Sequence, residues 1–183
     1  MLYIIRHGKT DWNIRHKLQG RTDIPLNEEG RLMAAKARSD YADIHLDICY
    51  SSPLSRARET AEILLKDRNI PILTDDRLTE MSFGKYEGLE RGPGAKDSPI
   101  DVLFYAPQDY RPDEDGGESL EQLFERTGSF LNDIMPDIEK GKDILIVGHG
   151  AMNSSIICRI RSNPVERFWS EGIENCVMKK LEF

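Results

Sequence analysis

Leu2-Tyr3-Ile4-Ile5-Arg6-His7-Gly8 and Ile144-Leu145-Ile146-Val147-Gly148-His149-Gly150 carry the same short signal, an apolar run that ends at a histidine followed by glycine. A run of this length without a polar face reads as a strand covered on both sides, hence as part of a parallel sheet. Open α/β sheets bind their ligands beyond the carboxyl ends of the strands, which is where these histidines fall. The chain has four histidines, so placing two of them there is informative. The glycine after each lets the backbone turn sharply and a ligand approach closely.

Working outward, further apolar runs at 47–50, 70–73 and 176–181 read as strands, with helical patterns between them. Ser52 can cap a helix with Pro53 in its first turn, and Leu54, Ala57, Ala61, Leu64 and Leu65 form its apolar stripe. Ser119 and Gln122 have capping-box spacing, and Leu120, Leu123, Phe124, Leu131 and Ile134 continue that helix until Pro136. Asn163-Pro164 starts a short helix through Phe168 and Trp169. This alternation predicts an α/β fold, a three-layer α/β/α sandwich around a mostly parallel sheet, in a single domain over 1–183. Two stretches stand outside it. The polar, aperiodic Thr10 to Leu26 is expected to form a pocket wall, and the Gly-, Pro- and acid-rich segment 84–117 a small lid insertion.

Composition bounds the function. No stretch approaches the roughly 20 apolar residues of a membrane span, and the N-terminal run is too short for a signal-peptide core, so a cytoplasmic protein without membrane contact is expected. Cys49, Cys158 and Cys176 are odd in number and lack C-x-x-C spacing, so neither a disulfide framework nor a zinc knuckle is indicated. A formal charge of −7 disfavours nucleic acid. The last strand offers an edge along which a homodimer could pair.

The cations are local. Arg56, in the first turn of the helix after the second strand, rises from the same sheet edge as His7 and His149, and Arg6 is a second cation there. Two planar guanidiniums match phosphate oxygens, so this is a phosphate pocket by composition. The same arginines would repel a metal dication, and no H-x-H or H-E-x-x-H spacing is present. Walker and G-x-G-x-x-G loops are absent, so no nucleotide cofactor is expected by those routes.

Arg6-His7-Gly8 with Thr10, Gln19-Gly20 through Gly30, Ser51-Ser52-Pro53-Leu54 with Arg56, Glu59-Thr60-Ala61, Leu78-Thr79-Glu80 with Gly84, Tyr86-Glu87-Gly88 and Gly148-His149-Gly150 together resemble the histidine phosphatase superfamily, in family order. The resemblance implies that His7 attacks the substrate phosphorus and carries the phosphoryl group, for which it must be neutral; two nearby arginines push its pKa down. It implies that Arg6, Arg56 and His149 hold the equatorial oxygens, and that Glu80 protonates the leaving oxygen and later deprotonates water. Asn13 would donate to a phosphate oxygen, with Gln19, Gly20 and Thr22 lining the remaining wall. Lys9 stands where many relatives carry Glu or Gln and reads as a surface charge. Glu87 is a rival acid in the same segment, but Leu78-x-Glu80 aligns with the family's acid.

A phosphatase acting on a small phosphorylated metabolite is therefore expected. The span from Glu80 to His149 is compact and rather acidic, with Asp97, Asp101, Asp109, Asp113, Glu114 and Asp115, and a negatively charged lid would disfavour multiply charged phosphoglycerates and favour hydrolysis over the alternative of a cofactor-dependent phosphoglycerate mutase. A sulfur-based alternative is weak, because Cys49 and Arg56 stand one residue too far apart for a Cys-x5-Arg loop and Cys49 lies inside a strand. The remaining alternative is a phosphate-recognition module without chemistry.

Overall fold

The computed structural model describes residues 1–91, 98–112, 114 and 117–182. Its five strands are β1 (Leu2–Arg6), β2 (Ile48–Ser51), β3 (Ile72–Thr74), β4 (Ile144–Gly148) and β5 (Met178–Leu181), in the order β3-β2-β4-β1-β5. All pairs are parallel except β1 with β5. The central strand β4 is buried at every residue, as its unbroken apolar run predicts. Along it the side chains alternate. Ile144 and Ile146 join Leu2 and Ile4 in one core, while Leu145 and Val147 join Ile5 and Cys49 in the other.

Helices α2 (Glu28–Asp40) and α3 (Ser55–Leu64) cover the second face through Ala34, Ala37, Ala57, Ala61 and Leu64. On the first face lie α5 (Leu120–Glu139) and α6 (Gly150–Ile160), with Leu123, Phe130, Ile134, Met152 and Ile156. The result is the expected α/β/α layering. Each fully buried Leu, Ile or Phe contributes about 1.5–3 kcal/mol to holding these layers together.

The structure differs from the sequence reading at several ends. Thr10 to Leu26 is not irregular throughout: Thr10 and Asn13 close a capping box on α1 (Asp11–Ile14). Helix α3 opens at Ser55 with Leu54 as its cap residue, not Ser52, whose hydroxyl instead accepts from the Leu54 amide. The missing cap comes from afar, since Asp23 Oδ1 accepts from both the amide (2.9 Å) and the hydroxyl (2.7 Å) of Ser55. Pro136 does not end α5, which runs one more turn to Glu139. That near the helix end it removes a single ladder bond, a small local loss. β5 starts at Met178 because Cys176 adopts φ +59, which breaks the extended run. The segment after Asn163-Pro164 is a single 3₁₀ turn over Val165–Arg167.

Within 84–117, the described residues form short turns and α4 (Val102–Tyr105), and Ile100, Leu103 and Tyr110 sink into the first core. Of the acids counted there, Asp97, Asp113 and Asp115 lie outside the described residues.

Candidate active site

The register places Arg6 beside Gly148, so His7 and His149 emerge together from adjacent parallel strands. The His7 amide donates to the Gly148 carbonyl at 3.0 Å, and the two rings lie 5.2 Å apart, centroid to centroid. Both are buried, at 2% and 0% exposure. His7 Nδ1 sits 2.6 Å from the Gly8 carbonyl oxygen. A carbonyl only accepts, so Nδ1 carries the proton and Nε2 keeps its lone pair. That loop is fixed from outside: the Gly8 amide donates to Thr60 Oγ1, and Asn175 Nδ2 donates to the His7 carbonyl. Gly8 also permits a backbone contact that its sequence reading missed. A Cβ there would collide with the Gly30 carbonyl oxygen, so the glycine serves packing against α2.

Burial holds His7 well below its ordinary pKa, helped by the charges of Arg56 and Arg6. His149 is lowered in the same way, by burial first and then by Arg56, His7 and Arg6. Both ring nitrogens of His149 are buried without a hydrogen-bond partner among the described residues. Orphaned buried nitrogens in a native fold point to a missing ligand.

These shifts have a consequence for stability. The unfolded histidines titrate near 6.5, whereas the folded pair resists protonation, so stability is full above that pH and falls as the pH drops below it. With two protons refused by the fold, the limiting slope is about 2.7 kcal/mol per pH unit. Urea midpoints of the ligand-free protein are expected to be level from pH 8 to 7 and to decline steeply between pH 6 and 5. A flat profile through pH 5 would contradict the buried neutral pair.

Arg56 is fully buried in the first turn of α3. Its guanidinium donates to the carbonyls of Thr22 (2.9 Å) and Gly20 (2.7 Å), its Nε has no partner among the described residues, and burial pushes its pKa down to about 10. Arg6 donates to the Ile173 carbonyl at 3.2 Å, and its Nε too has no partner among the described residues. Glu80 faces both arginines from the start of α6, where its carboxylate accepts the amides of Ala151 (3.2 Å), Met152 (3.0 Å) and its own neighbour Met81 (2.8 Å).

Arg6, His7, Arg56 and Glu80 line one cavity of about 170 Å³ together with Asn13, Gln19 and Gly20. The oxygens of Asn13 and Gln19 accept from Thr10, and among the described residues their side-chain NH2 groups meet no acceptor. Thr22 is not on this wall. Its hydroxyl and amide donate to Glu87, and its carbonyl buttresses Arg56. Lys9 pairs with Glu29 at 2.5 Å on the surface, as its sequence reading expects.

The two rival acids are separated by geometry. Glu87 accepts from Arg21, Thr22 and Phe83, which commits both oxygens to holding loop 19–22 against the 80–83 segment. Only Glu80 lines the cavity. Cys49 is fully buried and its thiol is pushed up to about 12, so it offers no thiolate nucleophile. None of the described acids of 84–117 lines the cavity either, so their count does not set its charge. Asp101 is paired with Arg91 at 2.8 Å.

Sequence reasoning missed the outer wall. Phe83, Phe104 and Trp169 line it, with Phe104 stacked on Trp169 at 5.3 Å. The sequence placed Trp169 only in a short helix after Asn163-Pro164, and tertiary contact brings it here. Among the described residues, one group has metal-ligand spacing, His45, Asp47 and Asp143, with ligand atoms within 4.8 Å of one another. It lies at the amino ends of β2 and β4, away from the cavity.

Paired histidines and arginines at the carboxyl edge of a parallel sheet, with a carboxylate opposite, define a phosphoryl-transfer site. The chain belongs to the histidine phosphatase superfamily, branch 1, whose profile matches residues 2–183. It is similar to the uncharacterized phosphatase PhoE of Bacillus subtilis, at 33% identity over 98% of this chain and 86% of the relative. Among solved structures it is similar to Bacillus stearothermophilus YhfR, with TM-score 0.86, 31% identity, and 97% of this chain and 88% of that chain covered. A phosphoserine phosphatase mutant of Entamoeba histolytica in complex with phosphoserine matches with TM-score 0.81 and 28% identity, covering 97% and 87% of the two chains. The chain is a phosphomonoesterase by class.

Proposed function

We propose that this protein hydrolyses a small phosphomonoester through a phosphohistidine on His7. Nε2 attacks phosphorus and forms a P–N bond as the P–O bond to the leaving group breaks, and Glu80 delivers a proton to the departing oxygen. Water then attacks phosphorus, gives a proton back to Glu80, and releases phosphate and the free imidazole. Arg6, Arg56 and His149 bind the equatorial oxygens, whose charge spreads in a loose transition state. The observation that carries this reading is the single tautomer of His7, with Nδ1–H spent on Gly8 and a lone pair left at the cavity between two arginines.

The cavity is at the small end for ligand sites, which supports a small phosphorylated metabolite, and its aromatic outer wall supports a leaving group with an apolar face. We read the 84–117 segment as the lid, because Phe104 reaches the cavity from it. Every residue assigned here comes from one chain. Pairing of two copies along β5 would place Lys179 and Lys180 at the joint, which opposes it, and the chemistry does not require it. No helix among the described residues is long and apolar enough to cross a membrane, and three buried unpaired cysteines support the cytoplasm as the compartment.

Hydrolysis and mutase action are separated by offering 3-phosphoglycerate with the bisphosphate primer. Phosphate release is expected to outrun isomer exchange. Exchange faster than release would make the protein a mutase, and phosphoester binding without either would make it a recognition module.

A further inference from the structure

Glu80 stands in an irregular stretch, between a 3₁₀ turn over Asp76–Leu78 and another over Gly84–Tyr86, where no strand ladder fixes the main chain. Yet proton transfer needs its carboxyl held within hydrogen-bond reach of the leaving oxygen. Two main-chain carbonyls just before Glu80 point at one side chain. Arg126, two turns into α5, donates through Nη1 to the carbonyls of Arg77 (2.6 Å) and Thr79 (2.7 Å). Its Nε and Nη2 grip Glu118 at 2.6 and 2.8 Å.

Glu118 completes the clamp from the other end. Its amide donates to the Ser82 carbonyl at 2.9 Å, and its carboxylate accepts from the Ser82 amide at 3.4 Å. The close approach needs Gly117, which adopts φ +89 and would drive a Cβ into the Ser82 carbonyl. Arg21 adds a bond to the Glu80 carbonyl at 3.4 Å and lies 3.5 Å from Glu118. The pair is shielded, with Arg126 and Glu118 side chains 16% and 7% exposed. A buried bidentate pair of this kind is costly to desolvate, so stability alone is a weak reason for it.

We infer that the Arg126–Glu118 pair is a positioning device for the general acid, gripping residues 77–82 so that the Glu80 carboxyl meets the leaving oxygen. The inference rests on Glu80 as the proton donor proposed above. Arg126 does not line the cavity; its charge also reaches His149, but that influence is the same for every leaving group, whereas positioning acts through Glu80. Its effect must therefore scale with how much the leaving group needs a proton. Nitrophenolate departs without one, whereas an alkoxide does not.

The test compares kcat/KM for n-butyl phosphate and p-nitrophenyl phosphate, since this parameter reports the step that forms the phosphohistidine. Arg126→Met is expected to lower the alkyl value by about 30- to 100-fold, a part of the roughly 10²- to 10⁴-fold that a general acid supplies, and the aryl value by less than about threefold. Arg126→Lys should recover part of the alkyl loss. Glu118→Gln keeps the shape but weakens the grip, and it should give the same selectivity at smaller size, which covers an Arg126→Met chain that fails to fold. Equal losses on both substrates, or none, would overturn the positioning role. Glu80→Gln serves as the reference. If it is selective while Arg126→Met is not, only the positioning fails; if it is itself unselective, the proton-donor reading fails and the inference goes with it.

Discussion

His7→Ala is expected to reduce phosphomonoester turnover on the order of 10⁴-fold or more, the loss typical of removing a covalent nucleophile. Nothing else in the cavity can take the part. His149 is fully buried, its ring 5.2 Å from that of His7 and tilted 58° to it, and its nitrogens are assigned to the phosphoryl oxygens in the proposed mechanism. Cys49 lies inside β2 with a thiol that stays protonated at neutral pH. Direct attack by water is the remaining route, and it lacks the two-step path that the imidazole provides. Binding should survive, because Arg6, Arg56 and the orphaned nitrogens of His149 are untouched. The variant is expected to show a phosphate- or vanadate-induced rise in Tm without product release. Enzyme quenched during turnover of labelled substrate should carry an acid-labile phosphoryl group that the variant lacks. The substitution also removes one of the two buried neutral histidines, so the acid-side decline in urea midpoint should be about half as steep. Residual turnover above about one per cent would transfer the nucleophile's role elsewhere.

What the sequence made legible was the part that is local. Each strand-His-Gly unit contains its own reasons, an apolar run for burial and a turn for exit, so the sheet edge and its histidines could be placed from the residues alone. The long-range parts were hidden. Asp23 caps α3 across 32 residues of chain, while the local signal at Ser52-Pro53 pointed two residues too early. Helix α6 is buried over Ala151–Cys158, so it shows no polar face and therefore no helical period. Helix α2 packs through Gly30, Ala34 and Ala37, small residues that leave a faint stripe. Glu80 and Glu87 are chemically identical letters. What separates them is that four donors saturate one and the other meets the cavity. Burial likewise outweighs the arginine charges in keeping His7 neutral, a ranking that composition could not supply.

Arg56→Met is expected to lower kcat/KM by on the order of 10³-fold, because it deletes preorganised donors to the transferring phosphoryl group. Its effect on the ligand-free fold is the difference between two opposing terms. Holding a guanidinium in this interior is unfavourable by roughly 3 kcal/mol, taking the fall of its pKa from 12.5 to about 10 at 1.36 kcal/mol per unit. Methionine of similar length removes that cost. It also strands the carbonyls of Gly20 and Thr22, at about 1–3 kcal/mol for each buried acceptor left unpaired. The two terms leave a net change between about 1 kcal/mol of gain and about 3 kcal/mol of loss, so Tm should rise by no more than about 4 °C or fall by no more than about 12 °C. The stabilisation that phosphate or vanadate gives the wild type should disappear. A charge that the empty fold barely tolerates is then retained for the anion it meets. Should the variant keep activity within tenfold of wild type, or keep its response to vanadate, Arg56 would be a structural tie for loop 20–22 and the phosphate would have to be held by Arg6 and His149.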